Sequence, residues 1–237
     1  MMDTQQAPIK DILDQITNPN TELYLSQSYK GFLFTEPVKY KTVHSDQIHL
    51  MVNHKVFCFC HTKDAILHDQ MYKSKISGQV ASFDMQSGSL FFQNVQPRKD
   101  LWVNRKELRI QPQETLVAIL RTRGEYFRGC IDNLSLHGAG FLLHVSEIND
   151  KLPKSEQTIA LQFELSDEIK LLISGKITNI KTLSNQLFGI GLKLNPDEKQ
   201  QALLSRYLQT AYQNMLEEID DEYRKLLEPR AAVDLYF

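Results

Sequence analysis

A chain of 237 residues is long enough for one large domain or for two small ones that each bury a core. With 42% hydrophobic and 24% charged residues its composition is that of a globular protein, which excludes a disordered tail or a fibre. The net charge of −2 excludes coating of nucleic acid by bulk charge, and no apolar run approaches the ~18 residues needed to cross a membrane.

The opening Met1-Met2-Asp3-Thr4-Gln5-Gln6 has neither a basic n-region nor an apolar h-region, so no secretory signal is expected. Three cysteines do not make a disulfide framework, and the expected compartment is the reducing cytoplasm. Ile9, Ile12, Leu13 and Ile16 recur at helical spacing behind Pro8 and predict a short amphipathic helix over 8–17. From about 21 to 96 the pattern changes to short strands, predicted at 22–25, 31–35, 38–42, 47–52, 56–61, 75–83 and 89–95. Polar punctuation such as Asn18-Pro19-Asn20 and Gln86-Ser87-Gly88 separates them, which favours a small barrel or sandwich.

Gln96-Pro97-Arg98-Lys99-Asp100 reads as a domain boundary. A second series follows at 115–121, 126–134, 139–145, 157–165, 170–180 and 187–194, with Arg123-Gly124-Glu125 as a hairpin turn. These six alternating strands suggest a second barrel. Asn195 as N-cap, Pro196 in the first turn and the acids Asp197 and Glu198 then open a helix. Its apolar stripe is Leu204, Leu208, Ala211, Met215, Ile219, Tyr223 and Leu226. The first turns are expected to pack on the second barrel, and the part beyond Met215 to contact a partner or a second copy as a homodimer. The expected fold class is mainly β: two small β-barrels in tandem and a C-terminal α-helix, with domains at 1–97, 98–195 and 196–237.

Arginine is unevenly distributed. Of nine in the chain, six lie between Arg98 and Arg128, none before and none between 129 and 205. Over 98–128 the local charge is +4. Arginine grips phosphate or a guanine edge bidentately and stacks on flat rings, so this segment is a candidate anion or nucleotide site. Two short motifs lie in and just beyond it. Arg105-Lys106-Glu107-Leu108-Arg109 is an Arg-x-x-x-Arg, and Asn133-Leu134-Ser135-Leu136-His137-Gly138 is an Asn-x-Ser-x-x-Gly at a strand end. Two arginines four residues apart project to one side whether the segment is extended or helical. Asn133 and Ser135 are expected on one face of a strand, and Gly138 to allow a tight turn and close backbone approach.

In this order, about two dozen residues apart, the motifs resemble those of the PilZ domain, the bacterial receptor module for cyclic di-GMP. Phe188-Gly189-Ile190-Gly191-Leu192 resembles its closing strand, and the resemblance covers about 104–195. It implies a six-stranded barrel that binds cyclic di-GMP, without cofactor, metal or catalytic step, through Arg105, Arg109, Asn133, Ser135 and Gly138. Asn104 and Lys106 are secondary candidates. The first half resembles, by domain order and strand pattern, the split barrel that precedes PilZ in flagellar brake proteins. That implies a ligand-driven change of domain arrangement that regulates a protein partner such as a flagellar motor component, in motility or biofilm formation.

Other chemistries rank lower. Cys58, Cys60 and His61, with His54 and His68 nearby, invite a metal reading, but no second cysteine pair follows at a zinc spacing. Ser135 and His137 lack an evident acid to orient the imidazole, and there is no phosphate loop, His-Glu-x-x-His or Gly-x-Ser-x-Gly, so an enzyme is not expected. Two alternatives stay open. One is a single-stranded nucleic-acid binder using Arg121 to Arg128 with Tyr126 and Phe127; the acidic total charge speaks against DNA. The other is a degenerate PilZ barrel acting as an interaction module without ligand. Membrane insertion is not expected.

Overall fold

A computed structural model of the chain describes residue 14 and residues 22–44, 47–53, 64–70, 75–84, 86–97, 107–145, 152–166 and 168–227. Apart from residue 14, the helix expected over 8–17 lies outside the described residues, as does the strand expected over 56–61. Within them the chain is mainly β and ends in one long helix, as its alternating pattern implied.

The first barrel consists of β1 (Leu23–Tyr29), β2 (Phe32–His44), β3 (Gln47–Met51), β4 (Asp64–Asp69), β5 (Lys75–Asp84) and β6 (Ser89–Pro97). They close in the order β1-β2-β3-β6-β5-β4, with β1 returning to β4 from Leu23↔Asp69 to Gln27↔Ala65. The second consists of β7 (Val117–Arg121), β8 (Tyr126–Leu134), β9 (Gly138–His144), β10 (Thr158–Ser166), β11 (Ile169–Ser184) and β12 (Leu187–Leu194). Its order is β7-β8-β9-β12-β11-β10, closed by β7 against β10. The two paths are identical: two three-stranded meanders joined edge to edge. The sequence halves show no convincing repeat, so the repetition is one of topology.

Alternation drives both closures. In β3 only Ile48 and Leu50 are buried, and in β10 Ile159, Leu161 and Phe163 turn inward while their neighbours face out. Leu25, Ile66, Leu90 and Phe92 fill the first barrel; Leu120, Phe141, Ile173 and Ile190 fill the second. Each such side chain stabilises by roughly 1.5–3 kcal/mol on burial.

Three local expectations are corrected. The strands expected at 31–35 and 38–42 are one continuous β2, which runs through Pro37. Proline breaks a strand only where the ladder needs its N–H, and β2 pairs with β3 only from Lys39 onward. The sequence pattern passed over β4, whose apolar stretch is short and flanked by Asp64, His68 and Asp69. The helix α1 (Glu198–Leu227) is capped by Asp197 rather than Asn195. Asp197 Oδ1 accepts from Gln200 N at 2.8 Å while Gln200 Oε1 accepts from Asp197 N at 3.0 Å, a reciprocal capping box. Asn195 N instead donates to Ser174 O at 2.8 Å.

By contacts the chain divides into two units, the first taking in Leu33–Arg105 and Met215–Phe237 and the second Lys106–Asn214. Leu204 and Leu208 belong to the second unit and Met215 and Ile219 to the first, and all four are buried.

His68, weighed for metal binding, is a buried member of the first barrel. Its Nδ1 donates to Asp69 O at 2.8 Å, so in the neutral ring Nε2 accepts from Ser26 Oγ, also at 2.8 Å. Burial pushes its pKa down, against the opposing pull of the Asp69 hydrogen bond. The neutral ring is therefore favoured in the fold. Its contribution is complete above the unfolded pKa of about 6.5 and is lost as pH falls from there through the lower folded value. We expect urea unfolding to show a smaller loss between pH 7 and pH 5 in His68→Gln than in the parent chain. Equal losses in both would show that His68 is not the titrating group.

Candidate functional site

The second motif forms the β8–β9 corner. Ser135 N donates to Gly138 O at 2.8 Å and Ser135 Oγ to the same oxygen at 3.2 Å, which closes a tight turn. Ser135 is buried, and its hydroxyl serves that turn. Gly138 does not have a left-handed backbone; its requirement is space. A Cβ there would stand 3.2 Å from Ser135 Oγ, 3.3 Å from Leu192 O and 3.9 Å from Arg109 Nη2.

Two devices tie the end of the Arg-x-x-x-Arg segment to this corner. Ile110 and Leu134 exchange backbone hydrogen bonds, each 2.9 Å, in an isolated antiparallel bridge. Glu107 reaches the turn itself: its Oε1 lies 2.8 Å from His137 Nδ1, and Oε2 accepts from His137 N at 3.1 Å. Partial burial pulls the Glu107 pKa upward, but hydrogen bonds from the His137 ring and backbone oppose it, and the net shift is downward. Glu107 is the acid that the sequence reading did not find for His137. Its use is to dock the motif segment, with no nucleophile at hand.

Register then builds a groove. On the inward face, Ile131, Phe141, Ile190 and Ile180 lie side by side across β8, β9, β12 and β11. The outward row beside it reads Asn133, Gly140, Gly191, Asn179 in the same strand order. Simple alternation would not deliver both asparagines there. A bulge between Ile131 and Asn133 and another between Ile177 and Asn179 shift the register at the two ends of the row. The glycines between them form a floor with no side chains. A Cβ at Gly140 would overlap Asn133 Nδ2, and one at Gly191 would come within 2.5 Å of Asn179 Oδ1.

The result is a groove of about 320 Å³ with Arg109, Asp132 and Asn133 on one side and Thr178, Asn179, Lys181 and Leu183 on the other. Asn133 Nδ2 donates to Asp132 Oδ2 at 2.7 Å, whereas its Oδ1 is buried with no hydrogen-bond partner. A buried acceptor without a partner is costly unless a ligand or water completes it. Arg109 makes no hydrogen bond or ion pair among the described residues. The groove thus combines a guanidinium that is unpaired among the described residues with a buried, unsatisfied amide oxygen at the edge of a glycine floor, which suits an anion carrying a flat polar ring.

Of the expected site residues, the structure brings Arg109, Asn133, Ser135 and Gly138 together. Arg105, Lys106 and Asn104 lie outside the described residues, as do Cys58, Cys60, His54 and His61. Arg121 hydrogen-bonds Gln162 and sits 5.7 Å over the Tyr126 ring, while Arg123 and Arg128 are exposed on the hairpin after β7.

Residues 104–210 match the family model described as the PilZ domain. No functionally curated protein matches the chain. Among solved structures, the chain is similar to YcgR from Escherichia coli in complex with c-di-GMP, at 14% identity over 92% of this chain and 96% of that one, with a TM-score of 0.43. It is also similar to the inhibitor of motility MotI/DgrA of Bacillus subtilis, at 11% identity over 83% and 96% with a TM-score of 0.40. A third is the MrkH–c-di-GMP complex of K. pneumonia, at 14% identity over 92% and 97% with a TM-score of 0.41. The motif pair, the closed six-stranded barrel and the family match coincide on one segment, and residues 104–210 match the PilZ domain.

Proposed function

We propose that this protein is a cyclic di-GMP receptor whose ligand occupies the groove of the second barrel and whose output is a changed interaction with a protein partner. The observation that carries the reading is one groove lined both by Asn133, whose Oδ1 is a buried acceptor without a partner, and by Arg109, which is unpaired among the described residues. A guanine offers N–H donors to the amide oxygen and O6 and N7 acceptors to an arginine, and the phosphates of the ligand offer the same arginine an anion. The PilZ match over residues 104–210 supports a receptor rather than an enzyme. Arg105, Ser135 and Gly138 complete the ligand site in this reading, with Asn104 and Lys106 at its edge. Arg105 lies in the stretch that joins the two barrels, so binding there couples the ligand to their arrangement. The brake-like domain order supports a partner in motility control.

Isothermal titration of the full chain with cyclic di-GMP, with GTP and cyclic di-AMP as controls, tests this. Saturable binding selective for cyclic di-GMP is expected, and Arg109→Ala is expected to weaken it about tenfold or more, since charge-assisted contacts are worth roughly 1.5–3 kcal/mol. Absence of binding by the parent chain, or unchanged affinity in the variant, overturns the assignment. Tight binding of single-stranded RNA that falls steeply with salt would favour the nucleic-acid reading instead.

A further inference from the structure

The far side of the groove belongs to β11, which neither motif touches. Thr178 Oγ1 is engaged, donating to Gly191 O at 3.0 Å. Asn179 Oδ1 accepts from Gly191 N at 3.0 Å, which fixes the amide so that its Nδ2 keeps both donors for the groove. Two residues on, Lys181 stands opposite Gly189, and across Gly189 lies Leu142 of β9. Lys181 has no hydrogen bond or ion pair among the described residues. Leu183 leans over Gly189, its Cδ1 3.4 Å from where a Cβ would be, and is 49% exposed. Lys181 and Leu183 thus line the same wall of the groove, one offering a charge and the other an apolar surface.

Charge accounts for what the motifs alone leave unfinished. Cyclic di-GMP carries two phosphates on opposite sides of its ring. Arg109 approaches from the β8 side of the groove, where the nearby Asp132 carboxylate is partly engaged by Asn133. A ligand laid across the Gly140–Gly191 floor therefore brings its remaining anionic and polar edge to β11. We infer that Lys181, with the Asn179 amide, is a specificity-determining element of the ligand site. It holds a phosphate from the far wall while Leu183 covers the adjoining flat surface. The inference rests on the groove being the cyclic di-GMP site, and it adds to that site a cation outside both motifs.

The test is isothermal titration of cyclic di-GMP into the full-length parent, Lys181→Ala, Lys181→Arg and Arg109→Ala chains, at low and high salt. Lys181→Ala is expected to lose about tenfold in affinity and Lys181→Arg to stay near the parent, with the Lys181→Ala deficit narrowing at high salt as screening removes its charge contribution. Lys181 is exposed on the barrel surface, so thermal unfolding of the variants should match the parent. Parent-like affinity in Lys181→Ala together with weakened binding in Arg109→Ala overturns the inference and leaves the receptor reading intact. A parent chain that binds no cyclic di-GMP overturns both. Loss in Lys181→Ala that Lys181→Arg does not restore rejects charge as the basis of the effect.

Discussion

A valine placed at Gly140 is expected to weaken cyclic di-GMP binding by about a hundredfold or more, since it removes one polar contact worth up to about 3 kcal/mol and also fills the groove. The geometry gives two separate causes. The first carbon of any side chain at this position overlaps Asn133 Nδ2, so the amide must leave its place at the edge of the groove. The branches of valine then occupy the floor, where a flat ligand must lie close to the backbone. Neither effect should unfold the barrel, because the position faces outward and valine favours strands. Gly140→Ala should produce the first effect without the second. In an Asn133→Ala background it should therefore add little, and a double-mutant cycle would read this as strong non-additivity. Titration calorimetry gives the affinities and circular dichroism melting gives the folding control. Additive losses would show that Gly140 and Asn133 do not act on the ligand as a unit.

The parts of this site that were legible in the sequence are those that lie close together along the chain. Arg109 and the Asn133–Gly138 corner are encoded in two short motifs whose spacing survives without knowledge of the fold. Asn179 and Lys181 were not legible, because they join the groove only through pairing of β12 with β9 on one side and with β11 on the other. Alternation even argues against Asn179. Leu171, Ile173 and Ile177 all point inward, and a strict period of two would send residue 179 after them. The bulge reverses that parity, and nothing in the local sequence announces it. Glu107 was hidden for a related reason: its partner His137 is reached across the Ile110–Leu134 bridge. At the level of fold the balance was better. Hydrophobic alternation placed eleven of the twelve strands among the described residues, and failed where β4 offers too short an apolar stretch and where Pro37 looked like a break.

Phe141→Ala is expected to destabilise the second barrel by about 3–5 kcal/mol, the range for deleting a fully buried aromatic ring. Phe141 is 0% exposed, and its ring fills the space over Gly129, where a Cβ would come within 2.6 Å of Cζ. The glycine and the phenylalanine are thus a matched pair, small against large. Its position on β9 connects this to function. Gly140 faces the groove, Phe141 faces the core, and a strand whose inward anchor is lost no longer holds the outward row of Asn133, Gly140 and Gly191 in register. With two compact units in the chain, unfolding need not be two-state. The expected result is a urea or thermal profile in which the transition of the second barrel shifts far more than that of the first. Phe141→Leu keeps most of the volume and should lose much less. Saturating cyclic di-GMP should restore part of the deficit in either variant, because a ligand that binds only the folded barrel stabilises it by mass action. A Phe141→Ala chain whose second transition stays where the parent's is would show that the groove does not depend on this core row.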